Sequence, residues 1–172
     1  SSLQAGACSG DTSRSTTIVA VLLCSYNGDK FLEEQLESIA RQQGAQVHIH
    51  VSDDGSTDQT QHLLNRFRER WGAGERSIRH GPGRGYVANF LSLICSPIEA
   101  DYFAYADQDD VWDPDKLPRA VAALASVPFD HPAIYCSRTR LVNAAGKFIG
   151  LSPLFKRPPV FANSLIHNVG GG

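Results

Sequence analysis

Tyr102-Phe103-Ala104-Tyr105-Ala106-Asp107-Gln108-Asp109-Asp110 is the stretch that decides the fold. An apolar run of strand length closes on three carboxylates within four residues. Such a run reads as a buried strand that delivers acids to the rim of a sheet. Crowding carboxylates costs free energy unless a cation or a hydrogen-bond network offsets the repulsion. An all-oxygen donor set suits a hard divalent ion that keeps several waters and shares its coordination with substrate phosphates. The same residues also read as a solvated acidic turn, since Asp113-Pro114 is a good helix start. Spacing alone does not choose between the two.

Working outward, strand and helix signals alternate. Ile18-Val-Ala-Val-Leu-Leu-Cys24 is apolar throughout, as expected for a strand covered on both faces. Ser25-Tyr26-Asn27-Gly28 punctuates it, and Asp29 is expected to cap a helix reaching Gln43, with Leu32, Leu36 and Ile39 on one face and Gly44 at its end. Val47 to Val51 reads as a second strand, followed by the loop Ser52 to Thr57 and a helix from about Asp58 to Trp71 bearing Leu63, Phe67 and Trp71. Ser77 to His80 is a short strand candidate. The loop Gly81-Pro82-Gly83-Arg84-Gly85 leads to a helix with Val87, Phe90, Leu91 and Ile94 on one face. After the acid tetrad comes a helix to about Ser126 with Leu117, Val121 and Leu124 aligned; Pro118 means that it either starts near Pro118 or is kinked. Ala133 to Val142 is expected as a strand, Asn143 to Gly146 as a turn, and Phe148-Ile149 as its hairpin partner. Asn163 to Val169 reads as a short helix or strand.

This alternation implies an α/β fold, a mostly parallel sheet with helices on both faces. Ligands bind such sheets beyond the carboxyl ends of the strands. Three polar clusters, at Tyr26-Asn27, Asp53-Asp54 and Asp107 to Asp110, are therefore expected along one edge.

The 172 residues suffice for one domain with a substantial core, and 42% hydrophobic with 20% charged residues is an ordinary globular composition. A net charge of -2 offers no electrostatic case for nucleic acid or an anionic membrane. No apolar run approaches the ~20 residues that span a bilayer. Residues 1–17 read as a flexible lead-in to a domain over 18–172. Cysteines 8, 24, 95 and 136 form no CxxC or zinc spacing, and Cys24 and Cys136 fall in expected buried strands, which favours a reducing, cytoplasmic setting.

Val21-Leu-Leu-Cys-Ser-Tyr-Asn-Gly28, Val51-Ser-Asp-Asp-Gly-Ser-Thr-Asp58 and Ala106-Asp-Gln-Asp-Asp-Val-Trp112 resemble the three motifs of family-2 glycosyltransferases, inverting enzymes with the GT-A (Rossmann-like) fold. Asp107 to Leu117 is especially similar to the rhamnosyltransferase-like branch. The resemblance implies transfer of a sugar, rhamnose from dTDP-rhamnose in that branch, from a dTDP- or UDP-sugar to a bacterial cell-surface polysaccharide or other glycan acceptor. It implies that Asp53 contacts the nucleotide base, with Asp54 in support and Ser25 and Tyr26 flanking base or ribose; Tyr26 as a core residue stays open. Asp107 becomes a ribose or metal contact, Asp109 a ligand of Mg or Mn, and Asp110 a second ligand or an acceptor-side contact. Arg84, with Arg79 nearby, suits the diphosphate, and Trp112 is a sugar-pocket wall or a core residue. His48 and His50 read as packed or surface residues, and His167 is unassigned. The family's catalytic base is an Asp or Glu later in the chain, yet no acid follows Asp130. A donor-binding half of a longer enzyme is therefore expected, with its base beyond Gly172 and the acceptor part missing. For that longer enzyme the inner face of the membrane stays open as a place of work. The competing class is a non-catalytic nucleotide-sugar or metal-binding module. A haloacid-dehalogenase-type phosphatase needs its two acids one residue apart, whereas Asp53 and Asp54 are adjacent. No GxGxxG follows the first strand, against a dinucleotide-binding reductase.

Overall fold

The computed structural model describes residues 16–71, 74–128, 130–143 and 145–153. Four strands, β1 (Ile18–Ser25), β2 (Gln46–Asp53), β3 (Arg76–His80) and β4 (Tyr102–Ala106), form a parallel sheet in the order β3-β2-β1-β4. Helices α1 (Leu32–Ala40), α2 (Thr60–Arg70) and α3 (Tyr86–Ile94) connect them, and α4 (Lys116–Leu124) follows β4. A separate antiparallel hairpin pairs β5 (Arg140–Val142) with β6 (Phe148–Leu151). The expected α/β architecture, helices on both faces of a mostly parallel sheet, is present.

β1 runs through the middle, and its seven residues from Val19 to Ser25 are all buried. Period-2 alternation divides it between two cores. Val19, Val21 and Leu23 pack with Leu32, Leu36 and Ile39 of α1, Leu64 and Phe67 of α2, and Trp112 and Leu117. On the other side Leu22 and Cys24 meet Leu93 of α3. Burying each large aliphatic side chain stabilises by about 1.5–3 kcal/mol, so the first, larger cluster holds most of the domain's cohesion.

Several local expectations change. Asp29 does not cap α1: Phe31 stands at the cap position without a side-chain cap, and the helix is framed by Phe31 and Leu32 N–H donating to the Gly28 carbonyl. On α2 it is Leu64 that lies fully buried, while Leu63 is only half-buried. Helix α3 turns Asn89 and Leu93 to the sheet and leaves Val87, Leu91 and Ile94 exposed. On that face Leu93 and Phe90 join the second core, and Asn89 Nδ2 donates to the buried Ser52 carbonyl at 2.8 Å. Pro118 sits in the first turn of α4, where a backbone N–H has no intrahelical partner, so the helix simply starts there. Residues 133–139 form no continuous strand, only an isolated bridge at Ser137, and Cys136 is exposed rather than buried. The hairpin turn and its partner strand are as expected. The lead-in over residues 1–15, Cys8, His167 and the element at Asn163 to Val169 lie outside the described residues.

Two buried polar side chains, Ser38 of α1 and Gln42 just beyond its end, hold the segment that follows the acids. Ser38 Oγ accepts from the Trp112 N–H at 3.0 Å. Gln42 donates through Nε2 to the Asp113 carbonyl and accepts through Oε1 from the Leu117 N–H, at 2.7 and 2.9 Å. Gln35 accepts the Ser38 hydroxyl through its carbonyl oxygen.

Candidate nucleotide-diphosphate site

β4 is added on the side of β1 opposite β2, so the direction of strand addition reverses at β1. The crevice expected at such a switch point is there: a cleft of about 630 Å³ beyond the carboxyl ends of β1, β2 and β4. Ser25, Tyr26, Asp54, Asp107, Gln108 and Asp109 border it. Gly83, Gly85 and Asn89 close the α3 side. A second hollow of about 680 Å³, near Trp71 and Gln46, brings no cluster of acids together.

The β1–β2 register places Ser25 beside Asp53, and the Ser25 hydroxyl donates to Asp53 Oδ1 at 2.9 Å. Asp53 is 0% exposed. Its carboxylate also accepts from the Ser56 hydroxyl at 2.5 Å, the Ser56 N–H at 3.0 Å and Gln61 Nε2. Four donors meet the roughly four lone-pair positions of a carboxylate, so none is left for a ligand. Burial pushes the carboxyl up, but the bonds from Ser56, Ser25 and Gln61 outweigh it and hold its pKa below the usual value. Asp53, expected as the base contact, therefore lies behind the cleft wall, and the carboxylate that borders the cleft here is its neighbour. Asp54, 9% exposed, accepts from the Gly83 and Gly85 N–H groups at 2.7 and 2.8 Å, one on each oxygen, and borders the cleft. Gly85 has φ of +87° and Gly83 +65°, left-handed backbone that glycine adopts without strain.

The first loop is tied to the second. Asn27, at φ +48°, donates its N–H to Ser56 Oγ at 2.8 Å and accepts the Thr57 N–H on Oδ1 at 2.8 Å. Tyr26 is 57% exposed at the cleft, not a core residue.

Asp107 and Asp109 are exposed in the cleft, and neither pairs with a cation among the described residues. Burial, then Asp110 and Asp109, push the Asp107 carboxyl above its usual value. Asp110 is raised by burial and by Asp109, against the pull of Lys116, and is not among the residues that border the cleft. Cys24 lies between the two acid groups. Burial first, then Asp107 and Asp54, push its thiol up to about 12, so it stays protonated and unreactive at neutral pH. Among the described residues no three His, Cys, Asp or Glu side chains converge to cage a metal. Two carboxylates facing an open cleft nonetheless fit an ion that takes its remaining ligands from water and phosphate.

The remaining expected residues are elsewhere. Arg84 is exposed and does not border the cleft, although both its glycine neighbours do. Arg79 donates to Ser96 Oγ at 2.5 Å and Ser92 Oγ at 3.1 Å, fastening β3 to α3. Trp112 is buried in the larger core, beneath a Lys116 ammonium 4.8 Å from its ring centroid. His50 is packed, with Nδ1 2.9 Å from Ser77 Oγ. Asn27 and Gln108 were expected along this edge without a role, and Asn89 was not expected at the site. Only Asn27 had a signal, the Asn-Gly pair that favours positive φ.

The fold, with its cleft at the strand ends, is an α/β domain of the GT-A type. Residues 20–162 match the family model of glycosyl transferase family 2, and the chain belongs to that family. It is 32% identical over 130 residues to the dTDP-rhamnosyl transferase RfbG of Shigella flexneri, a match covering 73% of this chain and 43% of RfbG. An uncharacterized glycosyltransferase of Haemophilus influenzae is 28% identical over 155 residues, 88% of this chain and 45% of that protein. The chain thus spans less than half the length of these relatives. Among solved structures, the mannosyltransferase PcManGT of Pyrobaculum calidifontis, in complex with GDP-Man and Mn2+, is similar with TM-score 0.57 and 26% identity, over 63% of this chain and 32% of that one. TarS of S. aureus in complex with UDP gives TM-score 0.51 and 25% identity, over 63% and 32%. No helix among the described residues is long and apolar enough to cross a membrane.

Proposed function

We propose that this chain is the donor-binding portion of a glycosyltransferase that takes a nucleoside-diphosphate sugar. The placement of unsatisfied acceptors at two ends of one cleft carries this reading. Asp54 follows the strand on one side of β1, and Asp107 and Asp109 follow the strand on the other. Neighbouring strands lie about 4.8 Å apart, so two spacings separate these groups by about 10 Å, the span from a nucleobase to its diphosphate. Asp54 retains a lone pair on each oxygen for an imide N–H of uracil or thymine. Asp53 holds the Ser56 turn and Ser25 in place. Asp107 and Asp109 would hold Mg or Mn. When bound, that ion neutralises charge on the leaving diphosphate as a Lewis acid. Ser25 and Tyr26 lie between, beside the ribose.

The donor sugar and the stereochemical course go further. A deoxyhexose such as rhamnose from a dTDP-sugar is supported by the likeness to RfbG, and inversion by the family's direct displacement. An inverting step needs a general base on the acceptor hydroxyl. The match covers less than half of RfbG and of the Haemophilus influenzae relative, and the reading assigns that base, with the hold on a cell-surface glycan acceptor, to a part of a longer parent protein outside residues 1–172. Asp110, behind the cleft rim, is left to the acceptor side. The parent's site of action is the cytoplasm, at the inner face of the membrane.

Calorimetric titration with UDP and dTDP, each with and without Mn2+, tests the reading. Metal-dependent binding of one of them is expected. Binding of neither sinks the proposal, and binding indifferent to metal removes the ion from it.

A further inference from the structure

Gln108 occupies the middle of the acid run, yet its side chain serves neither cation nor ligand. Its Oε1 accepts the Tyr26 N–H at 2.8 Å and its Nε2 donates to the Tyr26 carbonyl at 3.1 Å. The carboxamide thus pairs with a single residue's backbone N–H and C=O, as a neighbouring strand would. Only Asn and Gln side chains offer an acceptor and a donor side by side in this way; a carboxylate has no donor for the carbonyl. With both amide atoms engaged, the orientation of the group is set by the peptide it meets. Gly28 is part of the same arrangement. A Cβ at Gly28 would lie 2.6 Å from the Gln108 amide carbon and within contact of both amide heteroatoms. Gly28 has no positive φ, so room for Gln108, not backbone freedom, is what a side chain there would remove.

We propose that Gln108 is a positioning residue for the acid loop: its clamp on Tyr26 fixes Asp107 and Asp109 against the end of β1, and Gly28 leaves the space in which the clamp sits. The proposal rests on the nucleotide-diphosphate reading of the cleft. The ligand pair stands on either side of Gln108 in sequence, on a loop whose other fastenings, through Trp112 and Asp113, come later. Without the clamp, the two carboxylates repel each other on a loop fastened only at β4 and from Trp112 onward, and lose the geometry that a shared ion requires.

The test uses the chain with UDP and dTDP as probes, with and without Mn2+, and backbone amide hydrogen exchange at Tyr26 as a ligand-free readout. Gln108→Ala is expected to speed Tyr26 exchange, and to lower metal-supported affinity at least about tenfold while metal-free affinity moves less than about twofold. Gly28→Ala, which leaves the acids and Gln108 chemically intact, is expected to reproduce both effects. The double variant is expected to be no weaker than Gln108→Ala alone, because the two act through one contact. Unchanged Tyr26 exchange in both single variants overturns the clamp. Altered exchange with intact metal-supported affinity overturns its positioning role, as does an equal loss with and without Mn2+. If the unaltered chain binds neither nucleotide, the proposed function fails and the positioning role with it, a result distinct from every outcome above.

Discussion

The Asp53-Asp54 pair and the run from Asp107 to Asp110 place the same chemical group at strand ends on either side of β1, in opposite surroundings. Asp53 is enclosed by four donors and held below its usual pKa. Asp107 and Asp109 face the cleft with no cation paired to them among the described residues, and Asp107 is pushed up by burial and by its acidic neighbours. A carboxylate whose lone pairs are all taken is a fixed strut. One whose charge is uncompensated stores repulsion that only an added cation or proton relieves. Asp54 stands between the extremes, half engaged by Gly83 and Gly85 and half open.

The largest effect should come from breaking the strut. Asp53→Ala strands the donors of Ser25, Ser56 and Gln61 and is expected to cost about 3 kcal/mol. In a chain of this size that is a fall in Tm of roughly 10 °C by calorimetry. A loss of nucleotide affinity without a loss of stability would instead make Asp53 a direct contact. Next, Asp109→Ala should leave metal-free UDP or dTDP binding intact while removing its enhancement by Mn2+, a change of about 1.5–3 kcal/mol by titration. Asp54→Asn keeps an acceptor for the glycine loop but turns half of the group into a donor, and should weaken metal-free nucleotide binding about tenfold.

The smallest effect has the opposite sign. Asp107→Asn should stabilise the ligand-free chain at neutral pH, by no more than about 0.5 kcal/mol because the group is exposed and screened. The pH dependence follows from the same directions. Asp107 has a raised folded pKa, so its destabilisation is complete above that value and relieved as pH falls toward 3.8. Asp53 has a lowered folded pKa, so its stabilisation is complete above 3.8 and lost as pH falls through the lower value. Thermal melts across this range should show the Asp107→Asn variant lacking the first rise. An identical profile in that variant and the parent would remove the contrast.

What the sequence made legible follows the range of the forces involved. The apolar runs of β1, β2 and β4 and the spacing of Leu32, Leu36 and Ile39 are local patterns, and each forms its expected element. The division of labour between Asp53 and Asp54 was legible in principle. Extending β2 by two residues, as the structure does, puts Asp53 on the face of Ile49 and Val51. Ending the strand at Val51 hid this. The α3 face was misread because Leu93, with Phe90 beside it, packs on the sheet in place of Val87, Leu91 and Ile94, and Asn89 shares that face by bonding a strand carbonyl. The apolar residues of 133–139 likewise promise a strand, but a strand needs a partner, and no composition names one. Gln108 was invisible for a similar reason: its partner, Tyr26, is 82 positions away.

The grip of α1 on the segment after the acids has a consequence in time. A chain is made from its amino end, so Ser38 and Gln42 leave the ribosome some seventy residues before Trp112 and Leu117, the groups they secure. The receptor for the acid loop is therefore built before the loop exists. Until then the Ser38 hydroxyl and the Gln42 amide have only local carbonyls to bond, and the acceptor positions that later receive the Trp112 and Leu117 N–H groups are left to water. Completion of the cleft becomes a late docking event, and its rate depends on a helix and the turn after it, neither of which contributes a side chain to the cleft itself.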